Sequence, residues 1–269
     1  LRKDGVFIYN NDDSVIREQA KEVPQQSFGY SRHTTAHFMI AGDVVKYDDH
    51  DKPTGMLSTL THVDENVSIS VEGSLGVHHA YNYAAAAAVA HVFDISLADA
   101  AESLKKHKPT AGRMRILKGE GGTVLIDDTY NSSPVAVEQA LETLKGVVSK
   151  GKRIAVLGDM LELGRFSTRE HERIGEIVAD SVDMLVTVGV RSRKMAEGAK
   201  DRGMKEERIF SFEDARSAAD ALAEMVTGDD VVLMKASQSI RAERIVKKLM
   251  AEPDKAKELF VRQSSEWLQ

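Results

Sequence analysis

The 269-residue chain is 42% hydrophobic and 29% charged, the balance of a soluble globular protein long enough for two domains. A net charge of −6 spread over both signs excludes the basic face of a general nucleic-acid binder, and the lack of cysteine excludes disulfides and thiolate metal sites. No apolar run has the length of a membrane span and no signal peptide opens the chain, so a cytoplasmic protein without membrane insertion is expected.

Leu1-Arg2-Lys3-Asp4-Gly5 runs straight into a strand pattern and reads as a chain cut inside a domain. Val6 to Tyr9 is apolar and β-favouring, which predicts a strand, and Asn10 to Asp13 supplies capping chemistry for a helix from Ser14 to Lys21. From Ser27 to Val71 short strands alternate with turn signals, which predicts an antiparallel lobe. Helices are expected over His79 to Phe93, rich in alanine, and Ser96 to His107, capped by Ser96. Arg113 to Gly119 and Thr123 to Asp127 read as a hairpin, and Pro134 opens a helix that runs to Val148.

Strict alternation follows. Strands are expected at Arg153 to Leu157, Met184 to Val188, Arg208 to Phe210 and Asp230 to Lys235. Helices are expected at Thr168 to Ala179, Ser192 to Arg202, Phe212 to Met225 and Arg241 to Met250. This spacing predicts an α/β fold with a mainly parallel sheet. The polar stretch Ser149 to Lys152 is the expected boundary between domains at 1–150 and 151–269.

Two phosphate-loop lookalikes carry no nucleotide chemistry. Gly146 to Lys152 has the right spacing but follows a helix and precedes a strand, and Gly119 to Gly122 is a hairpin turn. Four other clusters matter more, three of them at strand ends, where open α/β sheets bind ligands. Asp127-Asp128-Thr129-Tyr130-Asn131-Ser132-Ser133-Pro134 crowds two carboxylates, a phenol and an amide on one turn; Ser132 or Ser133 capping the helix would explain part of it. Gly158-Asp159-Met160-Leu161-Glu162-Leu163-Gly164 brackets two acids with glycines, and His171 follows in the next helix; solvated acids and an exposed histidine are the plain alternative. Lys235-Ala236-Ser237-Gln238-Ser239-Ile240-Arg241 gathers hydroxyls and cations, with Ser239 as a simple helix cap the alternative. Gly76 to Asn82 opens the alanine-rich helix with His78, His79 and Asn82.

Taken in order, "YNNDDS", "GRM", "DDTYNSSP", "LGDMLELG" and "KASQSIRAERIV" resemble the Mur ligases, in particular the branch that adds D-alanyl-D-alanine to a UDP-N-acetylmuramoyl-tripeptide. The likeness runs through nearly the whole chain. It implies the C-terminal part of a central ATP-binding domain followed by a Rossmann-like C-terminal ligase domain. ATP would activate the tripeptide carboxylate as an acyl phosphate, which the amine of D-alanyl-D-alanine attacks as the C-terminal domain swings closed. The family's phosphate loop, Mg²⁺ ligands and carbamylated lysine fall upstream of these residues, so no metal ligand is expected within them and the chain alone is expected to be inactive. A monomer is expected.

Residue by residue, the resemblance implies adenine contact by Asn82, ribose and phosphate contact by Arg113, and ribose hydroxyl contact by Asp128. Tyr130, Asn131 and Lys235 are the implied catalytic residues, and Asp159, Glu162, His171, Ser237 and Arg241 the implied substrate-binding set. The chain departs from the family at His79, where asparagine is usual, and at Gln238, where arginine is frequent; glutamine offers dipoles but no charge. Other amide ligases of this architecture, such as the diaminopimelate- or lysine-adding enzymes and folylpolyglutamate synthase, match "LGDMLELG" and "DDTYNSSP" less well. A non-catalytic Rossmann-like binding module is the reading of a different class.

Overall fold

Apolar strands and amphipathic helices alternate along the chain, and the computed structural model, which describes residues 1–261 with 263 and 264, gathers them into two units. One comprises Leu1–Lys46 with Gly55–Lys108, the other Tyr47–Thr54 with the chain from Pro109 onward.

The first unit carries a five-stranded sheet in the order β1 (Phe7–Asn10), β2 (Ser27–Ser31), β3 (Phe38–Tyr47), β4 (Pro53–His62), β5 (Glu65–Glu72). Helix α1 (Ser14–Ala20) joins β1 to β2, and Asp13 caps it by accepting the amides of Val15 and Ile16. A helical crossover returns the chain in the same direction, so β1 and β2 pair in parallel, as do β2 and β3. The antiparallel lobe expected over 27–71 is therefore a mixed sheet, with an antiparallel β4–β5 hairpin. Helix α2 (His78–Val92) turns its small Ala84, Ala87 and Ala88 inward, onto a core with Phe38, Ile40, Leu60 and Ile69. Small side chains let the helix axis approach closely. Helix α3 (Leu97–Leu104) is capped by Ser96 as expected, and ends before His107.

The second unit carries six strands: β6 (Arg115–Lys118), β7 (Val124–Asp128), β8 (Arg153–Gly158), β9 (Met184–Val188), β10 (Ile209–Phe212) and β11 (Val231–Lys235). Their order is β10-β9-β8-β11-β7-β6; all neighbours pair in parallel except β6, antiparallel to β7. Helices α4 (Pro134–Gly146), α5 (Ser167–Ala179), α6 (Arg193–Asp201), α7 (Ala215–Met225) and α8 (Glu243–Leu249) follow successive parallel strands, and α9 (Ala256–Leu259) is a last short turn. Strands β7, β9 and β11 are buried along their full length, as covering both faces with helices requires. Helices α5 and α6 meet at Gly175 and Gly198: a Cβ on either would lie 2.1 Å from a backbone oxygen of the other helix, so no other residue fits at that crossing.

The expected boundary at 149–152 needs correcting. Residues from Pro109 to 150 supply β6, β7 and α4 to the second unit. The physical reason is the placement of β11, which pairs with β7 on one side and β8 on the other and so knits 124–128 into the same sheet as 153–158. One core accordingly runs through Leu117, Leu125, Ile154, Val156, Val232 and Met234. Two helix starts also move. Phe212 closes β10, and Asp214 caps α7 through the amides of Arg216 and Ser217. Arg241 adopts a left-handed conformation (φ 61°), which a right-handed helix excludes, so α8 starts at Glu243 with no cap from Ser239.

Candidate functional site

The order β10-β9-β8-β11-β7 reverses between β8 and β11: β8 leads on to β9 and β10 on one side, while β11 returns on the other. The carboxyl ends of those two strands form the switch point at which open α/β sheets place ligands. Asp159 and Ser237 lie just beyond those ends, and Asp128 closes the adjacent β7.

Register decides the first contact. Lys235 and Asp128 are direct partners across β11 and β7, so their side chains leave the sheet on the same face. Lys235 Nζ donates to Asp128 Oδ2 at 2.6 Å and to the Asn131 carbonyl at 3.0 Å. Both side chains are buried, at 2% and 7% exposure, which makes this a desolvated pair whose partners each need the other. The Met114 amide donates to Asp128 Oδ1 at 3.3 Å. Burial pushes the Asp128 carboxyl upward, against the Lys235 ammonium. Its neighbour Asp127 is fully buried and accepts from the Thr129 hydroxyl at 2.6 Å, the Thr129 amide and the Gly112 amide. Burial pushes Asp127 to about 6; the Thr129 bonds oppose the shift and the charge of Asp128 adds to it. Asn131 is exposed, and its Oδ1 accepts the Ser132 amide. Neither Ser132 nor Ser133 caps α4 through its side chain.

The loop after β8 is tied on three sides. Asp159 Oδ1 accepts the Ser192 amide at 2.7 Å, in the turn after β9, and the Asp159 carbonyl accepts the Ser237 amide at 3.0 Å. The Met160 amide donates to His171 Nε2 at 3.0 Å, and the Leu161 amide to Ser237 Oγ at 2.9 Å. His171 is fully buried; its Nδ1 faces the Ser167 carbonyl at 2.7 Å, so the ring carries its proton there and accepts at Nε2. The expected substrate-facing place for His171 is corrected: the ring is an internal brace of this loop, because both nitrogens are engaged within the protein. Glu162, next along, is exposed and left-handed (φ 64°). Gly189 holds φ 115°, and a Cβ there would lie 2.5 Å from Asp159 Oδ1, so glycine is what admits the carboxylate. Gly189 and Ser192 were not singled out from the sequence. Their signal is the end of the Met184–Val188 strand, one more carboxyl end in the alternating series.

The remaining candidates are placed as follows. Arg113 is exposed, its guanidinium 4.3 Å from the centre of the Tyr130 ring, a cation stacked on an aromatic face. Arg241 is half-buried, and its Nε donates to Glu243 Oε1 at 2.5 Å. Gln238 is exposed in the turn before it. Asn82 is exposed on α2, in the first unit, where His79 is buried. Thus Asp128, Asn131, Lys235, Asp159, His171 and Ser237 form two hydrogen-bonded groups joined by β11, while Glu162, Arg113 and Tyr130 lie exposed in the same unit. Among the described residues no group of three or more histidine, aspartate or glutamate side chains is arranged to hold a metal ion.

Residues 112–238 match the family model described as Mur ligase, glutamate ligase domain. Over 254 residues the chain is 30% identical to the UDP-N-acetylmuramoyl-tripeptide–D-alanyl-D-alanine ligase of Bacillus subtilis (strain 168), covering 94% of this chain and 53% of that protein. It is 33% identical over 246 residues to the protein of the same name from Synechocystis, covering 91% and 50% respectively. The solved structure of the MurF ligase from Thermotoga maritima in complex with ADP superposes with a TM-score of 0.76 at 23% identity, over 94% of this chain and 55% of that one, a likeness of fold. The chain spans about half the length of the curated relatives it matches.

Proposed function

We propose that this chain is part of the Mur ligase family and serves an ATP-dependent amide ligase joining D-alanyl-D-alanine to UDP-N-acetylmuramoyl-tripeptide. The observation that carries the reading is the convergence at the carboxyl edge of one sheet: Lys235 ties β11 to the Asp128–Asn131 turn, and Ser237 ties it to the Asp159–Leu161 loop. The names of the relatives supply the substrates. The reading places the enzyme in the cytoplasm, and among the described residues no helix is long and apolar enough to cross a membrane.

Bound ATP would supply the phosphoryl group that turns the tripeptide carboxylate into an acyl phosphate; the described residues include no histidine and carboxylate group arranged to hold the accompanying Mg²⁺. Such a transfer asks protein groups for positioning and charge neutralisation. Arg113 and Tyr130 fit a nucleotide: a guanidinium fork and a flat ring stand together at an exposed rim. Asp128 fits ribose hydroxyls less well, since its oxygens face Lys235 and the Met114 amide; its role is to hold Lys235, and through it the backbone of Asn131. With Oδ1 of Asn131 committed to Ser132, the Nδ2 protons of Asn131 are its donors toward an anion. The 269 residues contain no phosphate loop of the G-x-x-x-x-G-K-[ST] type, and on the proposed reading they turn over no ATP by themselves.

The test is ADP release by the full-length protein carrying these residues, supplied with UDP-N-acetylmuramoyl-tripeptide. Release that depends on D-alanyl-D-alanine is expected. Release driven equally by glutamate, lysine or diaminopimelate would assign another ligase, and no acceptor-dependent release would remove the proposal.

A further inference from the structure

The glycine turn at 119–122 has no part in the ligase reading. It stands at the amino end of β7, beside the turn at 226–229 that leads into β11, on the sheet edge opposite Asp128 and Lys235. Five residues of strand separate the two edges, roughly 16 Å. Between the two turns and the last residues of α7 and α8 lies a cavity of about 260 Å³. Its walls are fixed. Gly121 (φ 63°) and Gly122 (φ 95°) shape the first turn, and a Cβ on Gly228 would lie 2.1 Å from the Gly121 carbonyl oxygen, so glycine at 228 is what lets the turns meet. The second turn is held by the Thr123 hydroxyl on the Thr227 carbonyl at 2.8 Å, by Asp230 Oδ2 accepting the Thr227 amide at 2.8 Å, and by Lys52 Nζ on the Gly228 carbonyl at 2.9 Å.

The lining selects a ligand by shape and by charge. Ala223, Val226 and Leu249 form a hydrocarbon wall. Glu120 lines the mouth, and no cation among the described residues pairs with its carboxylate. The other charged lining group, Lys248, is offset by Asp220 at 3.3 Å. Helix α7, 11 residues long, ends at the cavity and α8 ends beside it; helix carboxyl ends carry partial negative charge and carbonyls that call for donors. An anion is repelled on each count, whereas an ammonium on a short carbon chain meets both the charge and the wall. The volume lies below the range of about 300–1,000 Å³ typical of larger ligands and suits a small molecule. We propose that this cavity binds a small aliphatic primary amine, with its ammonium at Glu120 and the carboxyl end of α7 and its carbon chain against Ala223, Val226 and Leu249. The site is independent of the ligase reading and lies apart from the edge where that reading puts the amine acceptor.

The test is a nuclear magnetic resonance titration of the full-length protein carrying these residues and isotope-labelled glycine. The probe is n-butylamine, with n-butanol and butyrate as its neutral and anionic counterparts. Saturable shifts of the Gly121, Gly122 and Gly228 amide signals are expected with the amine and not with the other two. Glu120→Gln should weaken binding about fivefold. Ala223→Leu fills the cavity from an exposed helix position, and should abolish binding with no fall in melting temperature. Lys248→Met should bind the amine more tightly, because Asp220 is then uncompensated. Shifts that never saturate, equal responses to amine and alcohol, or an affinity that Glu120→Gln leaves unchanged overturn the amine assignment. Weaker binding in Lys248→Met overturns it too, since the lysine would then be holding the ligand. Saturable binding that survives Ala223→Leu overturns the choice of cavity.

Discussion

Each unit sets aspartates near the end of its first parallel strand, and treats them in opposite ways. Asp12, two residues past β1, accepts from the Ser31 hydroxyl at 2.5 Å, the Arg32 amide at 2.7 Å and the Tyr81 hydroxyl at 2.7 Å, with the His33 and Thr34 amides beside them. Burial opposes the charge there, but the bonds outweigh it and hold the carboxyl well below its usual range, while burial and Asp12 together push the Tyr81 phenol up. Asp127 accepts fewer bonds, is sealed from water and sits beside a second acid, so burial wins and the carboxyl rises to about 6. Asp12 is only half-buried whereas Asp127 is fully buried, so depth, donor count and neighbouring charge together decide which of the two acids stays ionised. The first unit uses its acid to fix the loop at 31–34. The second sets two adjacent acids at one strand end and pairs only Asp128 with a lysine, an arrangement that is costly to leave incomplete.

The sharpest way to break the comparison is to remove that lysine. Lys235→Met should destabilise the protein by roughly 3–5 kcal/mol, because Asp128 is left buried with no cation, and Lys235→Met with Asp128→Leu should recover much of the loss. Urea unfolding of the single and double variants measures this; equal losses in both would mean that the pair is not coupled.

Acidity sharpens the contrast further. The folded-state value of Asp127 lies above its unfolded 3.8, so the protein loses stability as pH rises from about 4 to about 6, by roughly 3 kcal/mol from this group. Asp127→Asn should flatten that limb. Asp12 has the opposite sign: its contribution is present above the unfolded value and is lost as pH falls, so Asp12→Asn should flatten the acid limb. Denaturation midpoints followed from pH 3 to pH 8 separate the two, and a common direction for both variants would refute the distinction.

Smaller effects follow. Gly189→Ala should cost roughly 1–3 kcal/mol, through positive φ and the clash with Asp159, and should loosen the loop at 159–164 as read by hydrogen exchange. Ser96→Ala, which removes an exposed helix cap in the first unit, should cost about 1 kcal/mol and leave hydrogen exchange of the second unit's loops unchanged.

Much of this architecture was legible because local rules govern it. The strands Arg153 to Leu157 and Met184 to Val188, the cap at Ser96 and the proline at the start of α4 follow from apolar runs and cap chemistry. The insertion of β11 between β7 and β8 was not legible, since strand order is set by how crossovers pack, and the misplaced domain boundary follows from that. The mixed sheet of the first unit was missed for a related reason: turn signals announce strand ends but not strand direction. At the candidate site, residue types pointed to the strand ends where these side chains gather, whereas side-chain direction did not follow. Whether His171 faces a ligand or braces Met160, and whether Asp128 is open or sealed by Lys235, depends on contacts between segments distant in sequence.

The central claim is that the ends of β7, β8 and β11 act as one ligand-binding edge. Hydrogen exchange of the full-length protein, with and without ADP and D-alanyl-D-alanine together, tests it directly. The account predicts joint protection of segments 130–132, 159–164 and 237–241. Protection limited to one of these segments, or to none, would contradict it.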